Sequence, residues 1–259
     1  MPQTILIAQD ARGCVTVTLD RPERGNAFDQ TMLDELGAVF EASAADPSVR
    51  LLVLRAAGRH FCTGADMKSR GEAGQGGLTF NGVLARLDSF PKPTIAIVEG
   101  GCLGGGLGLA ACCDLVLATE AAYFGIPELR VGIAPSPELT GLLARAMGQR
   151  ALRRYGLTGE RLQALDALRI GLVHELVSTD AIGSRLAEIA DAILHNAPGA
   201  TAEMKATIGA LSTPRRDVLF PPGGPARRGL ERSPEALEGV AAFREKRQPA
   251  WYPPKDAKD

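Results

Sequence analysis

The stretch from Thr94 to Glu128, TIAIVEGGCLGGGLGLAACCDLVLATEAAYFGIPE, constrains this chain more than any other. It opens with a β-branched run, Thr94-Ile95-Ala96-Ile97-Val98, which predicts a buried strand. Six glycines then fall between Gly100 and Gly108, and the apolar Leu107–Cys113 segment behind them predicts a short buried helix. If Gly104, Gly105, Gly106 and Gly108 are all helical, they cost about 3–4 kcal/mol of helix propensity relative to alanine. Bare backbone at such a cost points to close packing, or to N–H groups brought up to a ligand. A helix N-terminus carries unpaired N–H groups and the positive end of the dipole, which suits an oxygen that becomes negative.

At 259 residues the chain fits one large domain, or one domain with an appendage. A net charge of −1 gives no nucleic-acid footprint, and basic residues are scattered except around Arg215-Arg216 and Arg227-Arg228. The five cysteines lie in apolar contexts without a CxxC pair, which predicts reduced thiols and a cytoplasmic location. His60, His174 and His195 show no ligand spacing, so no metal is expected. Met1-Pro2-Gln3 begins no signal peptide, and the longest apolar run is broken by Glu99, Asp114 and glycines, so no membrane span is expected. GxGxxG, GxxxxGK[ST] and GxSxG spacings are absent, which argues against a nicotinamide enzyme, a P-loop enzyme and a serine hydrolase.

Taken in order, Ile5–Gln9 and Cys14–Leu19 predict paired strands around Ala11-Arg12-Gly13. Thr31–Ala45 has helical spacing of Met32, Leu33, Leu36, Val39 and Phe40. Strands are predicted at Arg50–Ala56, His60–Gly64, Thr94–Val98 and Asp114–Ala118, with helices near Leu78–Phe90 and Gly105–Ala111 between them. Beyond Glu128 the pattern turns helical, with Ser136-Pro137-Glu138 as a capped start, and Val173–Val177 as a short strand. Thr213–Gly229 is too rich in proline and glycine for a packed element, and Ser233–Lys246 predicts a last helix.

Four motifs carry a resemblance: Val15-Thr16-Val17-Thr18-Leu19-Asp20-Arg21-Pro22, His60-Phe61-Cys62-Thr63-Gly64-Ala65-Asp66, the glycine cluster, and Phe124-Gly125-Ile126-Pro127-Glu128. Together, and in this order, they resemble the enoyl-CoA hydratase/isomerase (crotonase) superfamily, along most of the chain as far as Phe243-Arg244-Glu245-Lys246-Arg247. The resemblance implies an α/β fold, a crotonase-like spiral of repeated strand–strand–helix turns over residues 1–195. A C-terminal helical part over 196–259 would then serve trimerisation, giving a homotrimer or homohexamer. It implies an acyl-CoA thioester substrate, with coenzyme A as part of that substrate and no bound cofactor.

A thioester that loses an α-proton, or gains water at its β-carbon, places negative charge on its carbonyl oxygen, and two backbone N–H donors stabilise it. By resemblance those donors are Ala65 and Gly105, and Glu128 is an acid/base group. Its apolar neighbours Phe124, Ile126, Pro127 and Leu129 would raise its pKa towards a working range. The family's hydratases carry a second glutamate two residues after the triple glycine; here that position is Gly108. Either one carboxylate moves a proton between two carbons, which is isomerisation of a 3-enoyl to a 2-enoyl thioester, or the enzyme hydrates a 2-enoyl-CoA with help from elsewhere. A non-catalytic acyl-CoA-binding protein is the third reading. Segments Arg130–Pro135 and Arg153–Thr158 resemble bacterial hydratases of methylglutaconyl-CoA and isohexenylglutaconyl-CoA, used in branched-chain or acyclic terpene catabolism, which favours hydration. Glu138 either partners a helix dipole or replaces the missing carboxylate. Arg24, Lys68 and Lys246 are the candidates for coenzyme A phosphates. Ala27, Thr63, Gly64, Asp66, Leu103, Gly104 and Phe243 complete the expected substrate-binding set, and Phe243 and Lys246 would reach the nucleotide of a neighbouring subunit. The Arg70–Gly77 stretch reads either as a surface loop or as a wall over the acyl pocket.

Overall fold

The computed structural model describes residues 3–67, 77–211 and 234–250. Among these, one sheet has the order β1-β2-β3-β4-β6-β9, built from Ile5–Gln9, Cys14–Leu19, Leu51–Ala56, Thr94–Val98, Leu115–Ala118 and Glu175–Leu176. Only β1 and β2 run antiparallel; β2, β3, β4, β6 and β9 pair in parallel. The fully buried pattern of Thr94–Val98 is what a central parallel strand requires, because both of its faces are covered. A second, smaller sheet has β5 (Gly101–Leu103), β7 (Tyr123–Gly125) and β8 (Leu162–Gln163) in that order.

The two sheets are two layers of one spiral. After β4 the chain steps across into β5 and then into helix α3 (Gly105–Cys112); after β6 it steps across into β7. The preceding turn does the same with a single residue pair: Cys62 bridges Cys102 of β5 in parallel. The His60–Gly64 segment predicted as a strand is therefore only this bridge, since Gly64 at φ +95° turns the chain out of extended geometry. Helices α1 (Gln30–Ala45) and α2 (Phe80–Asp88) pack beside the spiral, each capped by a side chain, Asp29 accepting from Met32 N–H and Thr79 from Gly82 N–H.

The predicted cap at Ser136 is present: its Oγ accepts the Leu139 N–H at 3.1 Å and opens α4 (Pro137–Thr158). Helix α4 has two arms that meet in a kink at Gly148, whose φ of +74° is non-helical. Helices α5 (Ala164–Arg169) and α6 (Ile182–His195) follow, and then α7 (Pro198–Leu211) and α8 (Pro234–Glu245). Lys205 ties α7 to the core through Asp114 at 2.6 Å and the Lys92 carbonyl at 2.9 Å. Lys68, nearly all of the Arg70–Gly77 stretch, and the Thr213–Gly229 excursion with Arg215-Arg216 and Arg227-Arg228 lie outside the described residues. No helix among the described residues is long and apolar enough to cross a membrane.

Candidate active site

The glycine cluster sits where the second layer meets α3. Gly104 N–H donates to the Gly125 carbonyl at 2.9 Å, which fixes the cluster to the strand leading to Glu128. Gly104 itself is the N-cap of α3 at φ +55°, ψ −121°, so only three of the four glycines are helical. Gly105 is then the first helical residue, and its N–H has no carbonyl one turn earlier within the helix to bond.

The second expected donor comes from the preceding turn of the spiral. Phe28 bridges Ala65, its N–H donating to the Gly64 carbonyl and its own carbonyl accepting from Asp66, both at 2.9 Å. Those bonds turn the Ala65 N–H away from Phe28. The Gly64 backbone lies against the glycine cluster: a Cβ on Gly64 would be 3.7 Å from Gly105 N and 3.4 Å from the Leu103 carbonyl. The structure thus brings Gly64-Ala65-Asp66 and Gly104-Gly105-Gly106, some forty residues apart in sequence, into contact.

Glu128 closes the third side. It opens a one-turn 3-10 helix, Pro127–Val131, whose start is set by Pro127, and its carbonyl accepts the Ile133 N–H at 3.0 Å. Its Oε1 would lie 2.6 Å from a Cβ on Gly104, so the carboxylate rests against the bare Cα next to the Gly105 donor. Its Oε2 is shut off from solvent. Only glycine at 104 both accepts that backbone geometry and leaves room for the carboxylate.

At Gly108, where a second glutamate was missing, the space is apolar and filled. A Cβ there would meet Leu139 Cδ1 at 2.7 Å and Leu84 Cδ2 and Phe80 Cζ at 3.4 Å. Leu139, not its neighbour Glu138, occupies this ground; half-buried Glu138 lies in the first turn of α4, where the helix dipole favours a carboxylate.

Two residues the sequence did not mark hold the loop that carries Ala65. Arg21 donates to the Ala27 carbonyl at 2.5 Å and pairs with Asp66 at 3.1 Å and with Asp29, the cap of α1, at 3.2 Å. Asn26, fully buried at φ +54°, donates to the Ala57 and His60 carbonyls and accepts the Arg21 N–H. A polar residue buried this completely, its amide tying the Arg21 turn to the Ala57–His60 segment, is a scaffold rather than a reacting group. The sequence signal was Arg21 within the Val15–Pro22 motif, whose partners Asp29 and Asp66 lie outside that motif.

Thr63 bonds the Gly25 carbonyl through both its N–H and its Oγ1 at 3.1 Å, joining the site to the turn that carries exposed Arg24. Half-buried Leu103 is the last residue of β5. Helix α8 packs against the Glu128 turn of its own chain, and Arg244 donates to the Met67 carbonyl at 2.8 Å, beside Asp66. Phe243 and Lys246 are exposed at its end.

Burial pushes the Cys62 and Cys113 thiols up to about 12 and raises those of Cys102 and Cys112, so these four are poor nucleophiles at neutral pH. Burial, helped by the charges of Arg59 and Arg161, lowers the pKa of His60, whose Nδ1 accepts the Gly101 N–H at 3.2 Å as a neutral ring. The chemistry available is therefore that of two backbone donors and one carboxylate, suited to an enolate held while a proton moves.

The family profile described as enoyl-CoA hydratase/isomerase matches residues 9–254. A carnitinyl-CoA dehydratase of Proteus mirabilis is 35% identical over 257 residues, covering 93% of this chain and 95% of its own. A mevalonyl-coenzyme A hydratase of Aspergillus fumigatus is 31% identical over 268 residues, covering 98% and 96%. The crystal structure of an enoyl-CoA hydratase from Mycobacterium avium subsp. paratuberculosis superimposes with a TM-score of 0.86 at 27% identity, over 97% of this chain and 99% of that one. Sequence, fold and the order of the motifs agree: this chain belongs to the enoyl-CoA hydratase/isomerase family of acyl-CoA enzymes.

Proposed function

We propose that this enzyme adds water across the double bond of a 2-enoyl-CoA thioester, with Ala65 and Gly105 as oxyanion donors and Glu128 as its acid/base group. The observation that carries this reading is the Glu128 carboxylate lying against Gly104, one residue from the Gly105 donor. One carboxylate suffices if both steps use one face of the substrate. Glu128 takes a proton from water as its oxygen bonds the β-carbon, and the double-bond electrons move onto the thioester oxygen. The protonated Glu128 then gives that proton to the α-carbon as the carbonyl reforms. Relatives named for dehydration and hydration of CoA thioesters support this direction of chemistry.

The finer substrate reading, a branched glutaconyl-type acyl group, rests on the resemblance of Arg130–Pro135 and Arg153–Thr158. Arg130 packs on Gly159 at the end of α4 and Arg154 pairs with Glu160 at 2.5 Å, which gives these segments a structural role as well. Arg24, Lys68 and Lys246 would serve the phosphates of coenzyme A, and residues 196–259 would serve assembly.

One observation favours a second reading. The ground at Gly108 is lined by Leu84, Leu139 and Phe80, whose side chains offer water no hydrogen bond, and a carbon-to-carbon proton shift by Glu128 needs no water. Incubation with crotonyl-CoA, a 3-enoyl-CoA and methylglutaconyl-CoA, followed by mass spectrometry, separates the two. A mass gain of one water on a 2-enoyl thioester is expected. Conversion of the 3-enoyl thioester without mass gain, and no hydration of the others, would replace hydration by isomerisation.

A further inference from the structure

Gly105 and Gly108 are three residues apart in α3, so they present bare backbone on one face of the helix. One side chain covers both. A Cβ on Gly105 would lie 2.9 Å from Phe80 Cζ, and a Cβ on Gly108 would lie 3.4 Å from the same atom. Phe80 is held there by Phe28: the two rings are parallel with centroids 4.6 Å apart, and Phe28 Cε1 would be 2.5 Å from the Gly105 Cβ. Phe28 is anchored in turn by its backbone bonds to Gly64 and Asp66, on either side of Ala65. The aromatic pair therefore sits beside the two expected oxyanion donors, backed by Leu84 and Leu139.

The thioester site proposed above is the starting point. With the carbonyl oxygen at Ala65 and Gly105, an acyl group that runs on towards Gly108 comes up against the side chains that already cover that face. There it meets the Phe80 ring at once. Leu84 and Leu139 are buried in the core, at 0% and 5% exposure, whereas Phe80 is half-buried at the first turn of α2. Of the three, Phe80 is the side chain whose removal opens space without hollowing the core. We propose that Phe80 sets the length of the acyl chain this enzyme accepts, so that a short acyl group fits beside it and a long one is refused.

The test compares butanoyl-CoA and dodecanoyl-CoA binding by calorimetry in the wild type, Phe80→Ala and Phe80→Leu. The same comparison is made in kcat/KM for crotonyl-CoA and dodecenoyl-CoA. Phe80→Ala is expected to raise the long-to-short preference about 10–100-fold, the range that a few methylenes in an apolar pocket command. Should Phe80→Ala misfold by circular dichroism, Phe80→Leu decides, with a smaller rise in the same direction. An unchanged preference in a folded variant overturns the proposal, as does a wild type that binds the long thioester as tightly as the short one. Because binding is read without turnover, an enzyme that hydrates nothing would overturn the reaction proposed above and leave this chain-length result to stand or fall by itself.

Discussion

In the proposed reaction Glu128 carries the proton, and its setting makes a sharp substitution possible. Glu128→Gln keeps the shape that rests on Gly104 but cannot exchange a proton. Turnover should fall by about 10²–10⁴-fold, the usual contribution of a general acid/base, with thioester affinity little changed. Stopped-flow rates and calorimetry on crotonyl-CoA check both halves, and full activity in the variant would remove Glu128 from the mechanism. Gly108→Glu should not restore a second acid/base group, because its side chain would enter between Leu139, Leu84 and Phe80 and be buried without a polar partner. At this scale the sequence named candidates local to a motif, Ala65, Gly105 and Glu128, and showed no carboxylate at position 108. It did not show Phe80 or Leu139, since which apolar side chain fills a hole is decided by the packing of α2 and α4 on α3. Nor did it show Arg21, whose partner Asp66 lies 45 residues away.

Among the elements, α3 has the least favourable sequence for its conformation, and the structure gives the reason. Gly106 would place a Cβ 2.3 Å from the Cys62 carbonyl, so the helix can seat on the Cys62 bridge only without a side chain there. Each helical glycine costs about 0.8–1 kcal/mol of propensity, and that cost is offset by a helix start held within reach of the Ala65 loop. Gly106→Ala should push α3 away from Cys62, lowering stability by about 1–3 kcal/mol as overpacking does, and displacing the Gly105 donor. Urea denaturation reads the first effect and kcat the second, with an expected loss of about tenfold or more. Normal stability together with normal kcat would show that the close seating is not needed. The buried strand Thr94–Val98 and the helix behind the glycines were legible because each is long enough to carry a pattern. Strands β5, β7 and β8 were not, being two or three residues each, and their pairing is set by neighbours in the spiral.

On the scale of the whole molecule, the two C-terminal helices raise the question of assembly. Lys205 fastens α7 to Asp114 and Lys92, while Met204 and Ile208, one turn apart, are 63% and 51% exposed. On α8, Leu237 and Phe243 are 61% and 62% exposed, although the helix is docked against the Glu128 turn. Exposed apolar side chains of this size on both helices are what a contact between copies of the chain would cover. The family resemblance supplies the occupant, further copies of this chain, and a stable contact needs about 800 Å² from each partner. Sedimentation at micromolar concentration is expected to give the mass of a trimer or a hexamer. Met204→Glu with Ile208→Glu places two like charges on one turn of α7 and should shift that mass towards the monomer. If Phe243 and Lys246 reach the nucleotide of a neighbour, the dissociated variant should lose thioester affinity while Glu128, Ala65 and Gly105, all carried by one chain, keep their arrangement. A rise in KM greater than the fall in kcat is then the expected signature. A wild-type protein that sediments as a monomer would end the assignment of residues 196–259 to assembly, and would leave α8 as a cover for the site of its own chain.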